Sequence, residues 1–269
     1  MSIQTNERRP RMLLAVDVGN SSTVVGLFSG EQLDHRWILS TSVSRTRDEY
    51  TLAIAGLLGR SGLELDRDVS GVVIGSVVPT VTETLRALFT HELPREQPPI
   101  VIEPGVRTGV AIRHDHPQDL GADRIANAVA VSALYGGPAI VVDFGTAISF
   151  DAIDARGGFI GGALAPGITT GAEALVARAA RLPTVEPVAP ATPIGRSTTS
   201  ALQSGIVYGA AAMVDGMVSR ISLELGQGVT TVATGGTAEV VLAHCGTIDH
   251  HDPALTLKGL RLVWERNTH

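Results

Sequence analysis

The 269-residue chain is 44 % hydrophobic but only 4 % aromatic, and its formal net charge is −6 with the basic residues scattered. That balance allows a core of Val, Leu, Ile and Ala and argues against a nucleic-acid or anionic-membrane surface as the main business. A single cysteine, Cys245, excludes an internal disulfide, and no apolar run approaches the roughly 20 residues of a membrane span.

The length suits one large domain or two of ordinary size. The opening MSIQTNERRPR is polar and basic, with no apolar stretch of signal-peptide kind after it, and reads as a short tail. The lone cysteine fits a reducing compartment, so a soluble, cytoplasmic protein is expected. Lys258 is the only lysine and sits in LTLKGL, which excludes a phosphate-binding loop of the G-x-x-x-x-G-K-[ST] type.

In chain order, residues 12–18 read as a buried strand, 23–29 as its hairpin partner and 31–39 as a third strand. A helix follows over 46–60, then a strand over 71–78 and a second helix from Pro79 to about residue 90. PPIVIEPG (98–105) suggests a short strand, and a helix runs from about 119 to the Gly136-Gly137 exit. Three more strands are expected at 139–145, 148–154 and 158–167, then helices at 168–181 and 198–225. VTTVATGG (229–236) reads as a strand entering a glycine turn and a helix, and 252–267 as a closing helix. The Pro-rich LPTVEPVAPATPIG (182–195) is the one long loop.

The pattern repeats. A strand, Asp-Val-Gly-Asn and two further strands open one half; a strand, Asp-Phe-Gly-Thr and two further strands open the other. Asp17 and Asp143 stand 126 positions apart. Two α/β domains of one topology with a cleft between them are expected, divided as 12–120 and 121–269.

A single Asp-x-Gly is an ordinary turn. Two copies, each ending a Val-rich strand and opening a hairpin, point further. Glycine and small polar residues let backbone N–H groups approach an anion. A carboxylate beside phosphate needs an intervening cation, so Asp17 and Asp143 read as cation handlers flanking a polyphosphate. VATGGTAE (232–239) adds a close backbone approach, read as the adenosine side.

These elements resemble those of the acetate and sugar kinase/Hsp70/actin superfamily. DVGNSSTVVGLF, TRDEY, GSVVP, GADRIANAVA, VVDFGTAISFD, GGALAPGI, ALQSGIVYG, ATGG and TIDHHDPALTLKGL also occur in the order found in type III pantothenate kinases. The resemblance implies two ribonuclease H-like (actin-like) domains. It implies phosphoryl transfer from ATP to pantothenate, the first step of coenzyme A synthesis, by a homodimer.

By that resemblance, Asp17, Val18, Gly19, Asn20, Ser21, Ser22, Thr23 and Val24 form the ATP-phosphate segment, with Asp17 on the Mg²⁺ side, and Thr146 contacts ATP. Gly121, Ala122, Asp123 and Arg124 bind substrate, with Asp123 as catalytic base. Thr198 contacts pantothenate, and Asp143 holds a monovalent cation, K⁺ or NH₄⁺. His114 stands where the family often has a substrate-contacting tyrosine. Other departures are His116 in HDHP, Ile148 after the Asp143 turn, and Arg196, Ser197 and Ser200 around Thr198.

Read from the residues alone, Asp123 lies where a helix begins, so the helix end and Arg124 both favour its ionised form. A plain helix cap is the simpler reading. Arg124 suits a carboxylate partner through its guanidinium fork. His114–His116 and Asp249–Asp252 have spacings poor for tetrahedral zinc and read as polar loops. Cys245 reads as a buried small residue. Gly209 and Gly216 on the 198–225 helix would be costly if exposed, which makes that helix the candidate dimer interface. The competing reading is a catalytically degenerate nucleotide-binding regulatory protein of the same fold.

Overall fold

The structure is a computed structural model that describes residues 12–93 and 97–268; the N-terminal tail lies outside them. Strands β1 (Met12–Val18), β2 (Ser22–Ser29) and β3 (Gln32–Ser40) form the expected meander. Helix α1 spans Arg47–Gly59, α2 Leu65–Asp68 and α3 Pro79–Glu92, with β4 (Val69–Ser76) and β5 (Ile100–Val101) between and after them. Helix α4 spans Ala122–Leu134. The second half holds β6 (Ala139–Phe144), β7 (Ala147–Ile153), β8 (Phe159–Pro166), α5 (Ile168–Arg178) and α6 (Thr198–Leu225). It closes with β9 (Thr230–Thr234), α7 (Glu239–Leu242), β10 (His250–His251) and α8 (Leu255–Thr268).

The two sheets have one topology. Their orders are β3-β2-β1-β4-β5 and β8-β7-β6-β9-β10, each an antiparallel meander extended by two parallel strands. The repeat seen in the sequence is therefore a repeat of fold. The β2–β3 turn is the two-residue Gly30-Glu31, with Gly30 at φ 59°, the positive value such hairpin turns need.

The chain forms two compact units. Of the described residues, one comprises 12–93, 97–107, 121–126 and 260–268, and the other 108–120 and 127–259. The boundary thus differs from a single cut after residue 120. Residues 260–268 cover a face of the first sheet: a Cβ at Gly71 would lie 2.7 Å from the Trp264 ring, and one at Gly75 would lie 2.8 Å from Leu260. Glycine at these two strand positions is what admits the helix.

In the first unit, Leu14, Val16, Ile74, Tyr50, Leu58 and Leu85 pack into one core. Helix α1 starts in a reciprocal capping box: Thr46 Oγ1 accepts from the Glu49 N–H at 3.3 Å, and the Glu49 carboxylate accepts from the Thr46 N–H at 2.7 Å. In the second unit, Ile140, Val142, Phe144, Ile148 and Phe150 meet Val207, Val214 and Val218 of α6. Strand alternation sends Asp143, Ser149 and Asp151 to the opposite face.

Helix α6 is the one helix among the described residues long and apolar enough to cross a membrane by length and composition, although no apolar run of span length was expected from the sequence. Its buried residues pack on the second sheet. The Pro-rich loop is held to it: Tyr208 Oη donates to the Pro190 carbonyl at 2.6 Å and Gln203 Nε2 to that of Glu186 at 3.2 Å.

Candidate active site

The β1–β2 turn is built tightly. The Gly19 N–H donates to the Ser22 carbonyl at 3.0 Å, and a Cβ on Gly19 would sit 3.2 Å from that oxygen. Asn20, Ser21 and Ser22 are exposed, Asp17 and Val24 half-buried, and Val18 and Thr23 buried. Thr41 braces the turn from outside. Its Oγ1 donates to the Gly19 carbonyl at 2.8 Å, its N–H to the Ser21 carbonyl at 3.0 Å, and its hydroxyl meets that of Thr23 at 2.9 Å. Thr41 carried no sequence signal, because its partners lie some 20 residues away.

Val77 connects this turn to the Gly121–Arg124 segment. Its N–H donates to the Val18 carbonyl at 3.0 Å, and its Cγ1 would lie 3.2 Å from a Cβ at Gly121. That same Cβ would fall 2.3 Å from Asp123 Oδ1, so only glycine leaves room for the carboxylate. Ala122 is buried and Arg124 half-buried.

Asp123 is in the first turn of α4, and its Oδ1 accepts from the Arg124 N–H at 2.8 Å. Burial is the largest influence on this carboxyl and pushes its pKa up. The Arg124 N–H and guanidinium only partly oppose the rise. This corrects the sequence reading, in which the helix end and Arg124 were expected to favour the ionised form. Desolvation outweighs both, and the result is a stronger base than an exposed aspartate.

The Asp143 turn is equally close-packed. Gly235, at φ 98°, lies so near that a Cβ would come within 2.5 Å of both Asp143 Oδ1 and the Phe144 nitrogen. Thr237 Oγ1 donates to the Phe144 carbonyl at 2.9 Å. The Thr146 carbonyl accepts from the Gly167 N–H at 3.1 Å and the Thr170 hydroxyl at 2.9 Å. Thus the Thr-Gly-Gly element and the second Asp-x-Gly turn are brought together, as their sequence pattern suggested.

Asp143 Oδ2 accepts from Asn127 Nδ2 at 3.0 Å, and Asn127 Oδ1 accepts from Thr256 Oγ1 at 2.8 Å. Neither Asn127 nor Thr256 was singled out by the sequence. Asp143 offers carboxylate oxygens at the end of β6, the hard donor type that suits a hard cation.

His114 is half-buried. Its Nδ1 lies 3.0 Å from the His116 carbonyl and 3.2 Å from the His116 nitrogen, and its ring tilts against Phe159 at 6.3 Å. Thr198 stands exposed at the start of α6. There Ser197 and Ser200 form a capping box, so the serine at 200 still caps the helix. His250 and His251 form β10 rather than a loop. Among the described residues, no three His, Cys, Asp or Glu side chains converge to hold a metal. Cys245 is half-buried, not buried, and burial pushes its thiol up to about 11, helped by the Asp215 charge.

The paired sheets and these turns define an α/β protein of the actin-like ATPase and sugar kinase fold. A solved structure, the activator of 2-hydroxyisocaproyl-CoA dehydratase from Clostridium difficile with bound ADPNP, matches with a TM-score of 0.56 over 95 % of each chain, at 12 % identity. At that identity the likeness is one of fold. The family model for type III pantothenate kinase matches residues 13–220. Type III pantothenate kinase from Moorella thermoacetica is 49 % identical over 96 % of this chain and 100 % of its own. That from Streptomyces coelicolor is 51 % identical over 95 % and 98 % respectively. The chain belongs to the type III pantothenate kinase family.

Proposed function

We propose that this protein transfers the γ-phosphoryl group of ATP to the primary hydroxyl of pantothenate, giving 4′-phosphopantothenate and ADP. The observation that carries the reading is the Gly121–Arg124 segment. There a half-buried carboxylate of raised basicity is placed by a glycine that leaves its space. The family model over residues 13–220 and relatives about half identical over nearly the whole chain support pantothenate as the substrate.

The hydroxyl oxygen forms a bond to the γ-phosphorus as the bond to the bridging oxygen breaks. The hydroxyl proton passes to Asp123, and ADP takes the electron pair. Such a transfer needs position and charge stabilisation more than a strong base. The residues from Asp17 to Val24 are the proposed phosphate contacts, through small side chains and N–H groups, with Thr146 as a further ATP contact. Asp17 is the proposed holder of Mg²⁺, which supplies charge neutralisation on the phosphates when bound. Asp143 is the proposed holder of the monovalent cation. Arg124, His114 and Thr198 are the proposed pantothenate contacts, Arg124 by a fork on its carboxylate.

We further propose a cytoplasmic homodimer built on α6. Leu223 is 85 % and Leu175 48 % exposed. Thr169, Leu175, Val176, Val185, Leu202 and Ile206 line an apolar groove between α5, α6 and the loop before it. Space is open beside Gly205 and Gly209, where a second helix can approach closely.

The test is mass-spectrometric detection of phosphopantothenate from ATP, Mg²⁺ and pantothenate, with Asp123→Asn as control. Product from the native protein and none from the variant is the expected result. ATP binding without product would favour the regulatory reading.

A further inference from the structure

Thr41 is the first residue after β3, and its hydrogen bonds go to the β1–β2 turn and its flank. Its Oγ1 donates to the Gly19 carbonyl at 2.8 Å and its N–H to the Ser21 carbonyl at 3.0 Å. Its hydroxyl also meets that of Thr23 at 2.9 Å. A hydroxyl has one hydrogen to give, and Thr41 gives it to Gly19, so Thr23 is the donor in this contact. Thr23 is buried, where a hydroxyl needs such a partner.

These bonds set which way the backbone of the turn faces. A peptide unit is planar and trans, so the C=O of one residue and the N–H of the next point in opposite directions. The Gly19 and Ser21 carbonyls are turned toward Thr41. The N–H groups of Asn20 and Ser22 are therefore turned away from it. Both residues are exposed. Fixed N–H groups in a turn of small residues are the donors that an anion needs. A turn not held in this way would lose freedom when the anion binds, which weakens binding.

We propose that Thr41 is a positioning residue for the nucleotide: it turns the Asn20 and Ser22 N–H groups toward the phosphates of ATP. The inference rests on the reading of Asp17 to Val24 as the phosphate contacts. Thr41 itself touches no phosphate, because its hydroxyl hydrogen and its N–H are both used on the turn. It reaches Gly19 across 22 positions, so the third strand of the meander acts on nucleotide affinity through one side chain.

The test compares the native protein with Thr41→Val, Thr41→Ser and Asn20→Pro. Valine keeps the branched shape of Thr41 and removes the hydroxyl; serine keeps the hydroxyl; proline at 20 removes one of the two N–H groups. Two quantities are read: the Kd of ATP with Mg²⁺ by titration calorimetry without pantothenate, and the KM for pantothenate at saturating ATP. The expected result is a Kd for ATP raised about tenfold in Thr41→Val, with the KM for pantothenate unmoved. Thr41→Ser should return the Kd toward the native value, and Asn20→Pro should raise it. A merely structural role would lower the Tm of Thr41→Val and either leave the Kd for ATP unmoved or weaken ATP and pantothenate alike, which would overturn the inference. Weak ATP binding in Asn20→Pro alone would overturn it while the phosphate reading stands. A Kd unmoved in both Thr41→Val and Asn20→Pro would overturn it through its premise. Thr41→Ala is read in the same way where the valine variant does not fold.

Discussion

Gly235 and Asp143 are in such close contact that any side chain at 235 would displace the carboxylate: a Cβ there would sit 2.5 Å from Asp143 Oδ1. Gly235 also has φ 98°, where an L side chain is strained by about 1–2 kcal/mol. Gly235→Ala is therefore predicted to move Asp143 and the β6–β7 turn. ADP release should fall at least about tenfold, equivalent to about 1.4 kcal/mol in the barrier. An alanine variant with native kcat/KM would show that the turn tolerates displacement.

Asp123 pairs function with a stability cost. Its pKa is raised in the fold, so the folded state binds the proton more tightly than the unfolded state does. Below the ordinary value near 3.8, both states are protonated and burial costs nothing through this group. As pH rises through the window between 3.8 and the higher folded value, stability is lost, and the loss stays at neutral pH. Asp123→Asn should therefore be inactive yet melt higher than the native protein at pH 7, with the gain disappearing on acidification. Melting curves across pH check this; an Asn variant that melts lower at pH 7 would contradict the burial account.

Cys245 should be a sluggish nucleophile. Its thiol is pushed from 9.0 to about 11, so its thiolate fraction at pH 8 falls about 100-fold. Alkylation by iodoacetamide in the native protein should be slower than for a free thiol by about that factor. A rate near that of free cysteine would mean that the site opens readily.

Lys258 completes a half-buried ion pair. Its Nζ lies 2.7 Å from Oδ2 of Asp252, whose side chain is 6 % exposed, and Tyr135 Oη donates to the same oxygen at 3.3 Å. Removing the cation strands a buried carboxylate, which for fully buried pairs costs about 3–5 kcal/mol. Lys258 is partly exposed and Tyr135 remains, so Lys258→Met should cost about 2 kcal/mol in denaturant unfolding. No change in the unfolding midpoint would show that Tyr135 and water suffice.

Much of this was readable from residue patterns. The paired Asp-x-Gly turns announced a duplicated topology because they depend on local strand and turn chemistry. Helix α6 fell over 198–225 as expected, since Ser197 marks its start and Gly226 its end. The strand expected at 98–105 shrinks to Ile100–Val101, because pairing with β4 covers only that stretch. The two-residue β10 and the four-residue α2 are too short to show a period. What the sequence hid is mostly distant. Asn127 meets Thr256 across 129 positions, and Leu260 and Trp264 press on glycines of β4. The basicity of Asp123 was misjudged because Arg124 is visible in sequence and desolvation is not.

The central claim, phosphoryl transfer to pantothenate with a cation held at Asp143, is tested most directly by ADP release. The purified protein would be given ATP, Mg²⁺ and pantothenate in parallel K⁺ and Na⁺ buffers. The account predicts ADP release that requires pantothenate and is faster in K⁺. No pantothenate-dependent release in either buffer, with ATP binding intact, would contradict it.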